Sequence, residues 1–262
     1  MANWRDTFNN DGAGYGVPDV VLRSSFPQYA YGTLQAAYLA KALGHQSTSV
    51  IELGVAGGNG LVELEKLSTS IGHQLELEIA CTGFDLGQGM PAPVDYRDTP
   101  YIWQENFFKM DEPRLRSELS TAELIIGDVE STGPTYVDQL SVPIGFISFD
   151  LEYYSSTVTA FQALLNDRPE KYLPRVFCYF DDTVGPHEEF HSEFTGELLA
   201  INEFNESHSD RKITKISGLR HKMLPYEDDW VFGMYVLHMF KHEDYNKYVY
   251  HEAERQFPLD SD

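Results

Sequence analysis

Short apolar runs alternate along this chain with longer segments whose apolar residues recur every three or four positions. Runs at 50–53, 78–84, 124–127, 144–149, 176–180, a more polar 212–219, and 231–240 read as seven strands. Between them Leu61, Leu64, Leu67 and Ile71 fall on one helical face, as do Val158, Phe161, Leu164 and Leu165 behind the N-cap candidates Ser155 and Ser156. A helix over 29–43, with Leu34, Ala37, Tyr38 and Leu43 near helical spacing and Gly44 as C-cap, precedes the first strand. Strands interleaved with helices of this length require right-handed crossovers, hence a mostly parallel sheet. The expected class is α/β: a seven-stranded, mostly parallel, Rossmann-like sheet with helices on both faces.

Two segments break the alternation. Residues 1–28 are rich in Gly, Asn, Asp and Pro, with Trp4, Phe8, Tyr15 and Phe26 among them, and read as an irregular arm able to cover a ligand. Residues 87–113 hold four prolines together with Tyr96, Tyr101, Trp103, Phe107 and Phe108, the composition of a long elaborated connection of the kind that carries substrate contacts. No repeat or linker divides the chain. The expectation is therefore one domain over 1–262, with an N-terminal arm and helix (1–48), an α/β core (49–240) and a C-terminal tail (241–262).

Composition narrows the partners. With 262 residues, 42% of them hydrophobic, the chain can bury roughly 70–75% of its unfolded surface in a core. A formal charge of −22, from 19 basic against 41 acidic residues, opposes attraction to a phosphate backbone, so neither nucleic acid nor an anionic membrane is an expected partner. Cys81 and Cys178 each lie inside an apolar run, which favours reduced core thiols over a disulfide. The amino terminus has no apolar core of signal-peptide length and the longest apolar-rich run, 230–240, is short of a membrane span, so a soluble, cytoplasmic protein is expected.

The most informative stretch is SVIELGVAGGNGL at 49–61. An apolar strand that delivers an acid, Glu52, into a turn with glycines at 54, 57, 58 and 60 is how open α/β sheets build a site for a nucleotide-like ligand. The spacing does not fit the dinucleotide fingerprint, because Val62 and Glu63 follow where the third glycine belongs. It resembles motif I of the class I S-adenosylmethionine-dependent methyltransferases, with Ala56 at the usual middle glycine. That resemblance makes Gly54, Val55, Gly58 and Asn59 cofactor-binding candidates, with Glu52 reaching the cofactor's cationic end. An ordinary strand-turn-helix bend is the competing explanation.

Several strands also end in an acid at the carboxyl edge, where such sheets hold ligands: Asp85 in TGFD, Asp128 in IIGD, Asp150 in ISFD, and Asp181 with Asp182 in YFDD. Each alone could be a helix cap or turn residue. Together they converge, and converging carboxylates repel unless a cation compensates. Asp85, at the end of the second strand, is placed to accept hydrogen bonds from two ribose hydroxyls.

FDLEYYSST at 149–157 and FDDT at 180–183, with ELGVAGG, resemble the macrocin O-methyltransferase (TylF-like) family of natural-product and sugar methyltransferases over about residues 30–240. The resemblance implies binding of S-adenosyl-L-methionine, with Asp128 beside the adenine amino group and Val129 beside the ring. It also implies Mg2+ held by Asp150, Asp181 and Asp182. Glu152 stands at that pattern's second acid, and Pro174-Arg175 replaces its glycine pair before the fifth strand. The activity implied is methyl transfer to a hydroxyl of a small-molecule acceptor, with Asp150 also the candidate proton acceptor. Oligomeric state, including a homo-oligomer, stays open.

HEEFH at 187–191 matches the H-E-x-x-H zinc motif, which needs two histidines on one helical face. No downstream third ligand follows, and the histidines continue a stripe through Phe190, Phe194, Leu198 and Ile201, so a core-facing helix near the site rim is the expected role. The alternatives to a methyltransferase are a non-catalytic cofactor-binding scaffold of the same fold and, on this segment alone, a zinc hydrolase.

Overall fold

The computed structural model describes residues 18–220 and 229–249. Trp4, Phe8 and Tyr15 of the amino-terminal arm, and most of the 220–229 segment, lie outside the described residues. The seven expected strands all form: β1 (Ser47–Leu53), β2 (Glu78–Asp85), β3 (Glu123–Ile126), β4 (Ile144–Phe149), β5 (Tyr172–Phe180), β6 (Arg211–Lys215) and β7 (Met234–Met239). They make one sheet in the order β3-β2-β1-β4-β5-β7-β6. The first five are parallel, and β7 runs antiparallel between β5 and β6. The chain order reverses between β1 and β4, the switch point at which such sheets bind ligands at their carboxyl ends.

Among the described residues seven α-helices accompany the sheet: α1 (Asp19–Arg23), α2 (Pro27–Leu43), α3 (Asn59–Leu75), α4 (Glu112–Glu118), α5 (Val129–Gln139), α6 (Tyr154–Leu164) and α7 (Gly196–Ser207). On one face α2 and α3 bury Leu34, Ala37, Leu61, Leu64 and Ile71 against Val50 and Phe146. On the other, α5, α6 and α7 bury Val137, Phe161, Leu164 and Phe204 against Ile51, Leu53, Phe149 and Phe180. Phe149 and Phe180 stack at 4.5 Å, clamping together the two strands whose ends carry the acids. α2 ends as expected at Gly44, whose φ of 91° lets its N–H close onto the last turn. Cys81 and Cys178 are buried free thiols, pushed up in pKa by burial. No helix among the described residues is long and apolar enough to cross a membrane.

Three local readings differ from the pattern. Pro174 and Arg175 lie inside β5 and no turn interrupts them there, because β5 begins two residues before Pro174. The cap of α6 comes from far away. Its N-cap residue is Tyr153, without a side-chain cap bond, and the fully buried Asp98 accepts both the Ser155 N–H and the Ser155 hydroxyl at 2.8 Å. Asp98 also accepts the Val94 N–H, so one carboxylate pins the long 87–113 connection to the helix that follows β4. Finally, HEEFH is not helical: 187–189 form a single 3-10 turn that stops at Phe190, whose φ of 53° is left-handed. α7 starts only at Gly196, so Phe190 and Phe194 do not join the core stripe and stand 69% and 74% exposed.

Candidate functional site

The carboxyl ends of β1, β2, β3 and β4 open onto one cavity of about 320 Å³. The glycine turn supplies Gly54 and Ala56, β2 supplies Asp85, the step after β3 supplies Gly127, Asp128 and Val129, and the end of β4 supplies Asp150, Leu151 and Glu152. Gly89, Met90 and Phe108 of the long connection close the outer side. Among the described residues five carboxylates line this space, Asp85, Asp128, Glu130, Asp150 and Glu152, with no lysine, arginine or histidine.

The turn is shaped mainly by the protein itself. A Cβ on Gly54 would lie 1.8 Å from the Asp150 carbonyl oxygen, and one on Gly60 would lie 2.0 Å from Glu52 Oε1, so these glycines allow the strand end and the helix start to meet. Ala56 adopts φ 47° in the left-handed region, a cost of about 1–2 kcal/mol for a residue with a Cβ. That strain is stabilised by Asp85, whose carboxylate accepts the Ala56 N–H at 2.8 Å and the Gly87 N–H at 2.5 Å. Asp85 thus organises the turn while still facing the cavity. Asp128 is the N-cap of α5, accepting the Glu130 N–H at 2.9 Å, and is exposed at the cavity edge.

Four other cofactor candidates do not line the cavity. Glu52 points into the α2/α3 face, where the Tyr29 hydroxyl donates to Oε1 at 2.6 Å and Oε2 is buried without a partner. Burial, with a smaller push from Asp85, raises its pKa to about 8 despite the Tyr29 bond. Val55 is buried in the core; Gly58, with φ 88°, is the N-cap of α3 and Asn59 its first residue.

Of the strand-end acids, Asp150, Glu152 and Asp182 bring one carboxylate oxygen each to within 4.8 Å of one another. Asp181 is not in that trio: its carboxylate accepts the Tyr179 hydroxyl at 2.7 Å. Glu152 joins instead because Asp182 accepts its backbone N–H at 2.8 Å, holding it at φ 53°. Burial and the neighbouring acids raise all three: Asp150 well above the ordinary carboxylate range, Glu152 to about 9 and Asp182 to about 7. Behind them Glu197, fully buried at the start of α7, accepts the Asp182 N–H at 3.1 Å and leaves Oε1 without a partner. Nothing in the pattern of α7 singled out Glu197; a lone acid at a helix start reads as an ordinary first-turn charge.

The histidines of HEEFH part company. The His187 side chain is 90% exposed beside Glu188, whereas His191 Nε2 lies 2.7 Å from Glu189 Oε2 in a half-buried pair. The motif's geometry, two imidazoles on one helical face, is absent, because the segment forms a 3-10 turn and an irregular strand of chain.

A mostly parallel seven-stranded sheet with an antiparallel β7 between β5 and β6, and a ligand cavity at the switch point, is the Rossmann-like fold of the class I methyltransferases. No family model matches the chain, and no curated protein matches it. Among solved structures it is similar to the calicheamicin methyltransferase CalS11, at 18% identity over 90% of this chain and 89% of that one, with a TM-score of 0.51. The O-methyltransferase TomG from Streptomyces achromogenes, in complex with SAM, is similar at 14% identity over 84% of this chain and 82% of that one, with a TM-score of 0.41. At 18% identity the likeness to CalS11 shows the fold alone.

Proposed function

We propose that the chain is an S-adenosylmethionine-dependent O-methyltransferase that methylates a hydroxyl of a small molecule, with a divalent cation at Asp150, Glu152 and Asp182. The observation that carries this reading is the continuity of the two sites. Asp150 and Glu152 line the same cavity as Gly54, Asp85 and Asp128, so two acids of the trio and the glycine turn face one space, with Asp182 buried behind them.

The residues fit both groups. A cavity whose described lining holds five carboxylates and no cationic side chain favours a positively charged ligand, and the methyl donor carries a sulfonium and an ammonium. Asp85 and Asp128 keep acceptor capacity beyond the backbone bonds they already make, which suits ribose hydroxyls and an adenine amino group. The trio, each member raised in pKa by burial and by the others, is a hard oxygen donor set whose mutual repulsion a divalent cation would relieve. Glu197 holds the trio's Asp182 through its N–H, and the Tyr179 hydroxyl holds the carboxylate of the adjacent Asp181.

When bound, the donor supplies an activated methyl and the cation lowers the pKa of the acceptor hydroxyl. The chain's own part is positioning and proton removal. Asp150 faces the cavity from a strand end fixed by its N–H bond to Leu53, and its carboxylate oxygen accepts the hydroxyl proton, a role worth about 10²- to 10⁴-fold in rate. The apolar wall of Leu53, Phe84, Met90 and Phe108 excludes competing water.

Calorimetry with S-adenosylhomocysteine and then with Mg2+ tests the reading. Saturable product binding, and Mg2+ binding that Asp182→Asn removes, are expected; a protein that binds no S-adenosylhomocysteine overturns the function, and unchanged Mg2+ binding in the variant overturns the metal site.

A further inference from the structure

The outer wall of the cavity is a short strap of the long connection, residues 90–94, reading MPAPV. Met90, Pro91, Ala92 and Val94 all line the cavity. The prolines at 91 and 93 fix φ and carry no N–H, so the strap is stiff but cannot bond to a neighbour through those two nitrogens. It is held at its ends. Met90 exchanges two backbone bonds with the returning chain, its N–H to the Phe107 carbonyl oxygen and the Asn106 N–H to its own carbonyl oxygen, both 2.9 Å. At the other end the Val94 N–H donates to Asp98 Oδ2 at 2.8 Å.

Asp98 closes the 3-10 turn Tyr96–Asp98 and is fully buried, yet it does not itself line the cavity. Its three donors come from two walls. Besides Val94 on the strap, Oδ1 accepts the Ser155 N–H and Oδ2 the Ser155 hydroxyl, each at 2.8 Å, and Ser155 lines the cavity with Ser156 and Thr159 of α6. A carboxylate withdrawn from water is costly unless it is hydrogen-bonded, and bonds to a charged acceptor are about twice as strong as neutral ones. At the first turn of α6 the negative charge also meets the positive end of the helix dipole. One buried group therefore staples the strap to the helix across from it.

A second tie lies on the outside of the same turn. Arg97 is bound to Asp95 through its guanidinium and lies 4.4 Å over the Tyr154 ring at the start of α6. The two ties differ in what they set. Arg97 and Tyr154 are not cavity residues, whereas both partners of Asp98 are, so the spacing of strap and helix at the cavity follows from Asp98.

We infer that Asp98 is a positioning residue for the cofactor: it holds the proline strap against α6, forms the outer wall before a ligand arrives, and slows the ligand's departure. This rests on the methyltransferase reading for the identity of the ligand. A wall already in place spares the ordering cost of binding, and differences of this kind between variants of one site fall mainly in koff. Without the carboxylate the strap keeps only its Met90 end, and a bound ligand leaves past Val94.

The test uses the full chain and S-adenosylhomocysteine, with Kd and stoichiometry from calorimetry and koff from surface plasmon resonance. Asp98→Asn keeps the size of the side chain but leaves one acceptor oxygen for three donors, so koff is expected to rise about tenfold or more at unchanged stoichiometry. Arg97→Ala removes the outer tie alone and should leave koff within about threefold of the parent. A role in folding alone would lower the binding-competent fraction and Tm while the folded remainder keeps the parent's koff. That result overturns the inference, as does an equal rise of koff in Arg97→Ala. Native-state hydrogen exchange on the ligand-free parent needs no variant and decides the case if Asp98→Asn does not fold. The Ser155 N–H, in the first turn of α6, has no partner within its helix, so its protection and that of Val94 report the Asp98 tie. Both amides should exchange about a hundredfold or more slower than in an unstructured peptide, and exchange at the peptide rate overturns the inference. A parent that binds no S-adenosylhomocysteine refutes the methyltransferase reading instead.

Discussion

Gly54→Ala is the sharpest test of how the turn and the acid trio are joined. Gly54 has φ 84°, and a Cβ there would stand 1.8 Å from the Asp150 carbonyl oxygen and 2.9 Å from its carbon. Both neighbours are backbone, so the strand end must retreat by roughly 1.2 Å to reach even the 3.0 Å that real Cβ atoms essentially never undercut. The retreat would pull on the Asp150 N–H bond to Leu53 and the Gly54 N–H bond to Phe84, both 3.0 Å, which join β1 to its neighbours. Left-handed strain of about 1–2 kcal/mol, overpacking of about 1–3 kcal/mol and a weakened backbone bond of about 1 kcal/mol together make a loss of about 3–6 kcal/mol. For a domain of this size each kcal/mol moves Tm by about 2–4 °C, so a fall of about 6–24 °C is expected in thermal unfolding. Gly57→Ala is the internal control. An added Cβ there meets nothing within 4 Å and φ lies outside the left-handed range, so its Tm should stay within about 2 °C of the parent. A Gly54→Ala protein that melts with the parent would show that the close approach is not real and that the turn does not set the position of Asp150.

Two further predictions concern carboxylates at opposite extremes. Glu52, raised to about 8 by burial, holds its proton in the folded state between the ordinary carboxylate range and about pH 8, so folding stability falls as pH rises through that window. At about 1.4 kcal/mol per unit, Glu52→Gln should gain on the parent by about 3–5 kcal/mol between pH 5 and pH 9 in denaturant melts of the ligand-free protein, and parallel pH curves would refute the assignment. Glu65 is the reverse case. Burial alone would raise its pKa, but the N–H groups of Thr121, Ala122 and Ser120 outweigh burial and hold it below the ordinary range. Its stabilisation is therefore present above about pH 4.3 and lost as pH falls through the lowered value. Glu65→Gln should cost about 2–4 kcal/mol at pH 7 with the deficit shrinking below pH 4, measured by urea unfolding; a pH-independent deficit would sink the argument.

What the sequence disclosed and what it hid divide along a physical line. The sheet was legible because burial on both faces leaves continuous apolar runs, and all seven runs became strands. The acids at 85, 128 and 150 were legible because parallel strands share a carboxyl edge. Side-chain direction was not. Glu52 lies on the face of β1 covered by α2 and turns to Tyr29 instead of the cavity, and in the turn after β5 Asp181 turns to Tyr179 while Asp182 joins the trio. Glu152 enters the trio only through a left-handed backbone fixed by Asp182, thirty residues on, which no local pattern encodes. Asp98 capping α6 across 57 positions is the same kind of event. HEEFH misled for the opposite reason: its helical spacing is real, but Phe190 adopts a left-handed φ and ends the turn, converting a core stripe into an exposed pair of rings. Sequence periodicity reports what a segment would do alone, whereas only tertiary contact between two long connections places Tyr101 on Phe190.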